Sequence, residues 1–273
     1  MENGILSAVP LERLEIHVTH ACNLFCEGCS HYSSDGHRGA ISLEEAQEWL
    51  APWAPKLAPR YFTLLGGEPC LHPRLPEFVP LIRELWPSTR IDILTNGLFL
   101  HRHPELPQAL LKAGNTRLCL SIHHSDADYL DRLRPNLELV GRWQQELGLP
   151  AEVRPSIRNW TRRYRGHGAG MMPFEDGDPS TSWEICACKA SRQIHEGALW
   201  KCPALAYLPV QAKFVKLDPA WDPYLAYQPL PPTADRQQVR AFLDREEEPW
   251  CAMCPAARRP FAPPNPLRPV PEG

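Results

Sequence analysis

The sequence predicts an α/β fold in which five to six parallel strands, backed by helices, form a partial TIM-like (β/α) barrel followed by a small cysteine-rich unit. Three observations carry this expectation. Short apolar strand patterns alternate with amphipathic helix patterns through the first two-thirds of the 273 residues. Peptides rich in Cys, Gly, Asn or His follow those strands, where barrel folds place their functional loops. Beyond about residue 160 the periodic texture gives way to Gly, Pro and Cys.

Taken in order, RLEIHVT (13–19) reads as a strand with Leu14, Ile16 and Val18 on one face. A cysteine-bearing loop follows. SLEEAQEWL (42–50) starts a helix, because Ser42 and Glu45 have the spacing of a capping box. YFTLL (61–65) is a short strand that ends at Gly66-Gly67, and LPEFVPLIRELW (75–86) is a helix with a kink expected at Pro80. RIDILT (90–95) is a strand closed by Asn96-Gly97, and LPQALLKAG (106–114) is a helix stopped by Gly114. TRLCLSI (116–122) is a fourth strand. DADYLDRLR and LELVGRWQQELG read as two helical segments, and AEVRPSI (151–157) as the last clear strand. The expected domains are therefore a barrel over 10–165, a cysteine-rich unit over 180–260 and a Pro-rich, extended tail over 261–273. The stretch GHGAGMMPFEDGDPSTSW between the first two reads as a linker.

Composition narrows the function classes. A hydrophobic share of 43% and a charged share of 22% fit a globular chain, and a net charge of −3 without a long basic run argues against nucleic acid or an anionic membrane as partner. No run of apolar residues is long enough to span a bilayer, and the N-terminus lacks the pattern of a signal peptide. A cytoplasmic location is expected, where ten cysteines call for metal rather than disulfides.

The loop THACNLFCEGCSHYS places Cys22, Cys26 and Cys29 together without a fourth cysteine. A structural zinc ion takes four protein ligands, so His20 or His31 would have to complete such a site. The other reading is a four-iron cluster with one iron left open to a small molecule. The spacing Cys22-x3-Cys26-x2-Cys29 after a first strand, with GGEP (66–69) after the second, resembles the radical S-adenosylmethionine (radical SAM) superfamily over about residues 12 to 160. The resemblance implies a [4Fe-4S] cluster on Cys22, Cys26 and Cys29. It also implies S-adenosyl-L-methionine held by Gly66, Gly67, Glu68 and Pro69, with Asn96 and Ser121 as polar contacts, and an electron donor of flavodoxin or ferredoxin type. Glycines let backbone approach a ligand, and Glu68 would receive the charged amino group. Gly28 departs from the family, which usually has an aromatic residue there. Taken alone, GGEP and Asn96-Gly97 are ordinary turn peptides, and His123 and His124 are read as rim or packing residues.

Cys186, Gly197, Cys202, Cys251 and Cys254 resemble in spacing the twitch form of the SPASM extension, which holds an auxiliary four-iron cluster. Cys188 is then the spare, and four thiolates on zinc remain the alternative. Cys70 and Cys119 are expected to be plain buried thiols. The resemblance implies a radical enzyme that abstracts hydrogen from a substrate C–H, with two-electron oxidation of a small polar metabolite as the expected outcome. A first strand starting near residue 12 leaves no room here for a peptide-recognition domain, which tilts the expectation away from a ribosomal peptide. An electron carrier or zinc-stapled binding module would need neither an open iron nor GGEP. No residue is assigned as the acid–base group.

Overall fold

The computed structural model describes residues 8–267. Seven strands form one sheet in the order β5-β4-β3-β2-β1-β6-β7. They are β1 (Val9–His17), β2 (Leu57–Leu65), β3 (Arg90–Thr95), β4 (Thr116–Ser121), β5 (Ala151–Arg154), β6 (Ser191–His195) and β7 (Ala198–Trp200). The first six pair in parallel, and β7 folds back antiparallel on β6. This is the expected α/β architecture. β6 is a sixth parallel strand that the sequence reading missed, because SRQIH has no apolar alternation. It pairs with β1, so the hairpin at 191–200, inside the expected 180–260 unit, continues the sheet of the first unit.

Crossover helices follow the strands, as parallel pairing requires. They are α1 (Leu43–Leu50), α2 (Leu75–Leu85), α3 (Leu106–Ala113) and α4 (Ala127–Leu147). The Ser42–Glu45 capping box forms at the start of α1. The two helical segments expected around Pro135 are one helix, α4, which runs through the proline. Proline removes one helical donor. The adjoining Asn136 ties the helix to the loop after β3, taking the His101 N–H at 3.1 Å and giving its amide to Leu98 O at 3.1 Å. The expected linker is also packed: Met171 is fully buried and accepts the Trp221 indole N–H on its carbonyl at 2.9 Å. α5 (Pro179–Glu184) begins within the same stretch.

One face of the sheet is apolar, with Leu14, Ile16, Phe62, Leu64, Ile91 and Ile93 fully buried. The other face is polar yet enclosed. Register places Gln193, Glu15, Thr63, Asp92 and Arg117 in one row across five strands. Asp92 is 0% exposed and is held by Arg90 and Arg117, each at 3.0 Å. A buried carboxylate requires such partners. Part of this face is covered by α6 (Pro203–Phe214), whose Tyr207 hydroxyl bonds Gln193 at 3.1 Å.

Candidate active site

The loop after β1 carries the first three cysteines. It is clamped at both ends and from above. His20 N–H donates to Gly39 O at 2.9 Å, Tyr32 hydroxyl to Ala204 O at 3.2 Å, and Phe25 N–H to Pro266 O at 2.8 Å. The Pro-rich segment expected as a tail therefore lies, up to residue 267, across the cysteine loop. Gly28 takes the left-handed φ of 73°, and Phe261 from that segment comes within 3.5 Å of where its Cβ would stand. A side chain at 28 would meet both the strain and the ring.

The loop after β2 is stitched to the cysteine loop through backbone. Gly67 N–H donates to Thr19 O at 2.9 Å and Glu68 N–H to Ala21 O at 2.8 Å. A Cβ at Gly66 would lie 2.4 Å from Thr19 O, and one at Gly67 would lie 2.3 Å from Ala21 O. Only glycine permits this approach. Pro69 is buried at the start of a single helical turn, Pro69–Leu71, that Glu68 caps. The Glu68 carboxylate is 1% exposed and accepts from Cys70 N–H at 2.9 Å, Thr95 hydroxyl at 2.5 Å and Asn96 N–H at 2.7 Å. Burial raises its pKa, and these donors oppose that rise. Three protein donors thus engage the group expected to receive an amino group, and its present work is to join the loops after β2 and β3.

A cavity of about 210 Å³ is lined by Cys22, Cys26, Cys29, Gly66, Gly67, Glu68, Asn96 and Ser121. It brings together all but Pro69 of the sequence-expected cofactor contacts. His31, His123 and Trp160 also line it. His31 Nε2 and His123 Nδ1 are buried without a hydrogen-bond partner, and burial pushes each of these imidazoles down to about 4. His124 instead bonds the carbonyl of Pro263 at 3.2 Å.

Burial raises the pKa of Cys22, Cys26 and Cys29. A nucleophilic cysteine needs the opposite shift. Such thiols fit metal ligation, where the metal itself drives off the proton. Three thiols on one cavity wall, beside a glycine cradle, fit a cluster with one iron left for a small ligand. Among the described residues no three His, Cys, Asp or Glu side chains close on a point as a single ion would require. A four-iron cage, with a ligand at each corner, spreads its thiolates more widely.

The second set gathers from distant segments. Cys186 and Cys188 lie between α5 and β6, Cys202 starts α6, and Cys251 and Cys254 lie in and just after a short helix, Pro249–Met253. Cys186 is pushed down to about 6, first by a hydrogen bond from Cys188, and its charge raises Cys202, Cys251 and Cys254. Burial is the larger cause for those three, carrying Cys202 up to about 12. Cys70 and Cys119 are buried, and the Cys70 thiol lies 3.3 Å from the Thr95 hydroxyl.

The Radical SAM superfamily model matches residues 16–140, from the end of β1 into α4. Over those residues the chain is a radical SAM domain. Radical SAM proteins use a [4Fe-4S] cluster and S-adenosylmethionine, which they cleave reductively. Among curated proteins, this chain is 35% identical to the GTP 3′,8-cyclase of Aquifex aeolicus (strain VF5) over 118 residues, 42% of this chain and 36% of that one. It is 32% identical to the probable GTP 3′,8-cyclase of Saccharolobus solfataricus over 124 residues, 45% of this chain and 39% of that one. The match thus spans less than two-fifths of either relative's length. Among solved structures, BtrN in complex with AdoMet and 2-DOIA shares the fold over 91% of this chain and 94% of its own, with a TM-score of 0.50 and 16% identity.

Sequence reasoning missed the surroundings of the first cavity. His17, His20 and His195 gather around Tyr207, with His17 stacked on its ring at 3.7 Å between centroids. His17 and His195 end β1 and β6, so topology brings them together. The only signal in the sequence was their place at the C-terminal ends of strands. Trp160, which donates to Glu27 O at 2.7 Å, lies beyond the last strand pattern read in the sequence.

Proposed function

We propose that Cys22, Cys26 and Cys29 hold a [4Fe-4S] cluster, that Gly66, Gly67, Glu68, Asn96 and Ser121 surround the cofactor, and that the protein oxidises a small polar metabolite by two electrons. The carrying observation is one cavity lined by three raised-pKa thiols and by glycines whose backbone approach to the cysteine loop admits no side chain. Cys186, Cys202, Cys251 and Cys254 would hold a second cluster. Cys186 is chosen over Cys188 for its spacing to Gly197. Bound there, the first cluster would give one electron for reductive cleavage of S-adenosylmethionine, and the second would accept the electron a substrate radical gives up.

The chain's own residues position and enclose. The backbone of Gly66 and Gly67 shapes the floor, and Glu68 fixes Asn96 against it. Trp160 and the tail over Phe25 restrict entry of water and stray hydrogen donors. The balance is one hydrogen atom from a substrate C–H to the 5′-deoxyadenosyl radical, giving 5′-deoxyadenosine, then one proton and one electron lost by the substrate radical. His123 and His31, whose side chains line the cavity, are the groups nearest to hand to take that proton.

A second reading is a redox-neutral rearrangement of a small molecule, favoured by the cyclase names of the relatives that match the barrel segment. Deuterium at the reacting carbon separates the two. The oxidative reading expects label in 5′-deoxyadenosine and a product two electrons more oxidised than the substrate. A product at the substrate's oxidation level would contradict it.

A further inference from the structure

A second cavity, of about 480 Å³, lies against the second thiol set and shares the Trp160 wall with the first. Its size suits a small molecule. Among the described residues, four arginines line it, Arg158, Arg162, Arg163 and Arg258, and no carboxylate does. This is unusual for a chain of net charge −3. Several arginines elsewhere form ion pairs, among them Arg90 and Arg117 with Asp92, Arg154 with Glu152, Arg165 with Glu175 and Arg259 with Asp176, whereas Arg83 and Arg192 bond backbone carbonyls. Of the four at the cavity, Arg162 is paired with Glu27. Among the described residues, Arg158, Arg163 and Arg258 form no ion pair.

The arginines come from two stretches far apart in sequence, and backbone fixes them together. Arg162 N–H donates to Arg259 O at 2.9 Å, Arg259 N–H to the Thr161 hydroxyl at 2.9 Å, and Thr161 forms a bridge with Pro260. These bonds hold the two arginine-bearing stretches beside one another. The guanidinium fork matches the oxygens of phosphate or carboxylate. Arg163 also feels the thiols: burial disfavours its charge, but Cys188, Cys186, Cys254 and Cys202 more than offset this. Arg158 and Arg258 are exposed.

We propose that this cavity seats an anionic group of the substrate, a phosphate or a carboxylate, with Arg158, Arg163 and Arg258 as its binding residues. The reacting carbon would lie on the other side of Trp160, in the first cavity. This rests on the reading of the first cavity as the radical site, and it names the substrate class.

The test uses anaerobically reconstituted full-length protein and calorimetric titration with inorganic pyrophosphate and, separately, citrate, with uncharged inositol as control. Saturable binding of pyrophosphate alone identifies a phosphate site, and of citrate alone a carboxylate site; either supports the proposal. In Arg158→Ala/Arg258→Ala the affinity should fall at least about tenfold, with iron content and thermal midpoint unchanged. Arg158→Lys/Arg258→Lys should recover part of it. If the alanine pair loses iron, the single variants Arg158→Gln and Arg258→Gln are held to the same fall. Binding of neither anion, or equal binding by wild type and variants, overturns the proposal. Formation of 5′-deoxyadenosine by the same wild-type preparation reports on the radical site separately, so cofactor cleavage without anion binding would sink this inference alone.

Discussion

The Glu68 carboxylate accepts the backbone N–H of Asn96 at 2.7 Å, which binds the loop after β2 to the loop after β3 at the floor of the thiol-lined cavity. With Thr95 and Cys70 also donating, its oxygens face donors only. Glu68→Gln would turn one amide N–H toward them. An unmatched buried polar group costs about 1–3 kcal/mol. Denaturant unfolding of the iron-free variant should show a loss in that range. A loss below about 0.5 kcal/mol would mean that the two loops are not coupled through this side chain.

Two glycines should respond with opposite signs. Gly67→Ala sets a Cβ 2.3 Å from Ala21 O, a backbone atom that cannot swing away. Forced repacking of this kind costs about 1–3 kcal/mol. Gly141, inside α4, has nothing within 4 Å of its Cβ position. Gly141→Ala should stabilise by about 0.5–1 kcal/mol through helix propensity. Thermal unfolding of the two variants side by side checks both signs.

Acid should weaken the fold through the histidines around Tyr207. Burial pushes His195 down to about 3, with His20 and Lys213 adding repulsion. Burial also holds His17 well below its ordinary value, with His31 the next cause. Both are neutral when folded, whereas the unfolded chain takes up protons near the ordinary 6.5. The stabilisation is complete above that value and is lost as pH falls below it toward the folded pKa. Each group can cost at most about 1.4 kcal/mol per pH unit in this window. The unfolding midpoint should drop from about pH 7 to about pH 5, and less steeply in His195→Gln. Equal slopes would refute a neutral, buried His195.

The second thiol set predicts unequal cysteines. In a chain whose first three cysteines are Ala, about four irons should remain after anaerobic reconstitution. Cys186→Ser should remove them, and Cys188→Ser should keep them. The reverse pattern would exchange the two roles, and zinc in place of iron would replace the cluster assignment.

Local features of this fold were legible in sequence, and cross-sheet ones were not. Ser42 and Glu45 announced α1 because a capping box depends on residues three apart. Leu14, Ile16 and Val18 announced the apolar face of β1 by alternation. Glu15 and Asp92, on the opposite face, are buried because neighbouring strands supply Gln193, Arg90 and Arg117. That complementarity depends on register, which one strand's pattern cannot reveal. β6 was missed for the same reason: its inward residues are polar. Of the site, the thiols and glycines were readable because their spacing is short and local. Trp160 and the arginines around the second cavity were not, since segments about 100 residues apart assemble them.

The central claim is that Cys22, Cys26 and Cys29, beside the Gly66-Gly67 cradle, support reductive cleavage of S-adenosylmethionine. The most direct measurement is 5′-deoxyadenosine formed anaerobically with dithionite by the reconstituted wild type and by the variant with all three cysteines changed to Ala. The account predicts formation by the wild type, none above background in the variant, and retention of the second set's iron in the variant. Cleavage that persists in the variant, or is absent from an iron-replete wild type, would contradict it.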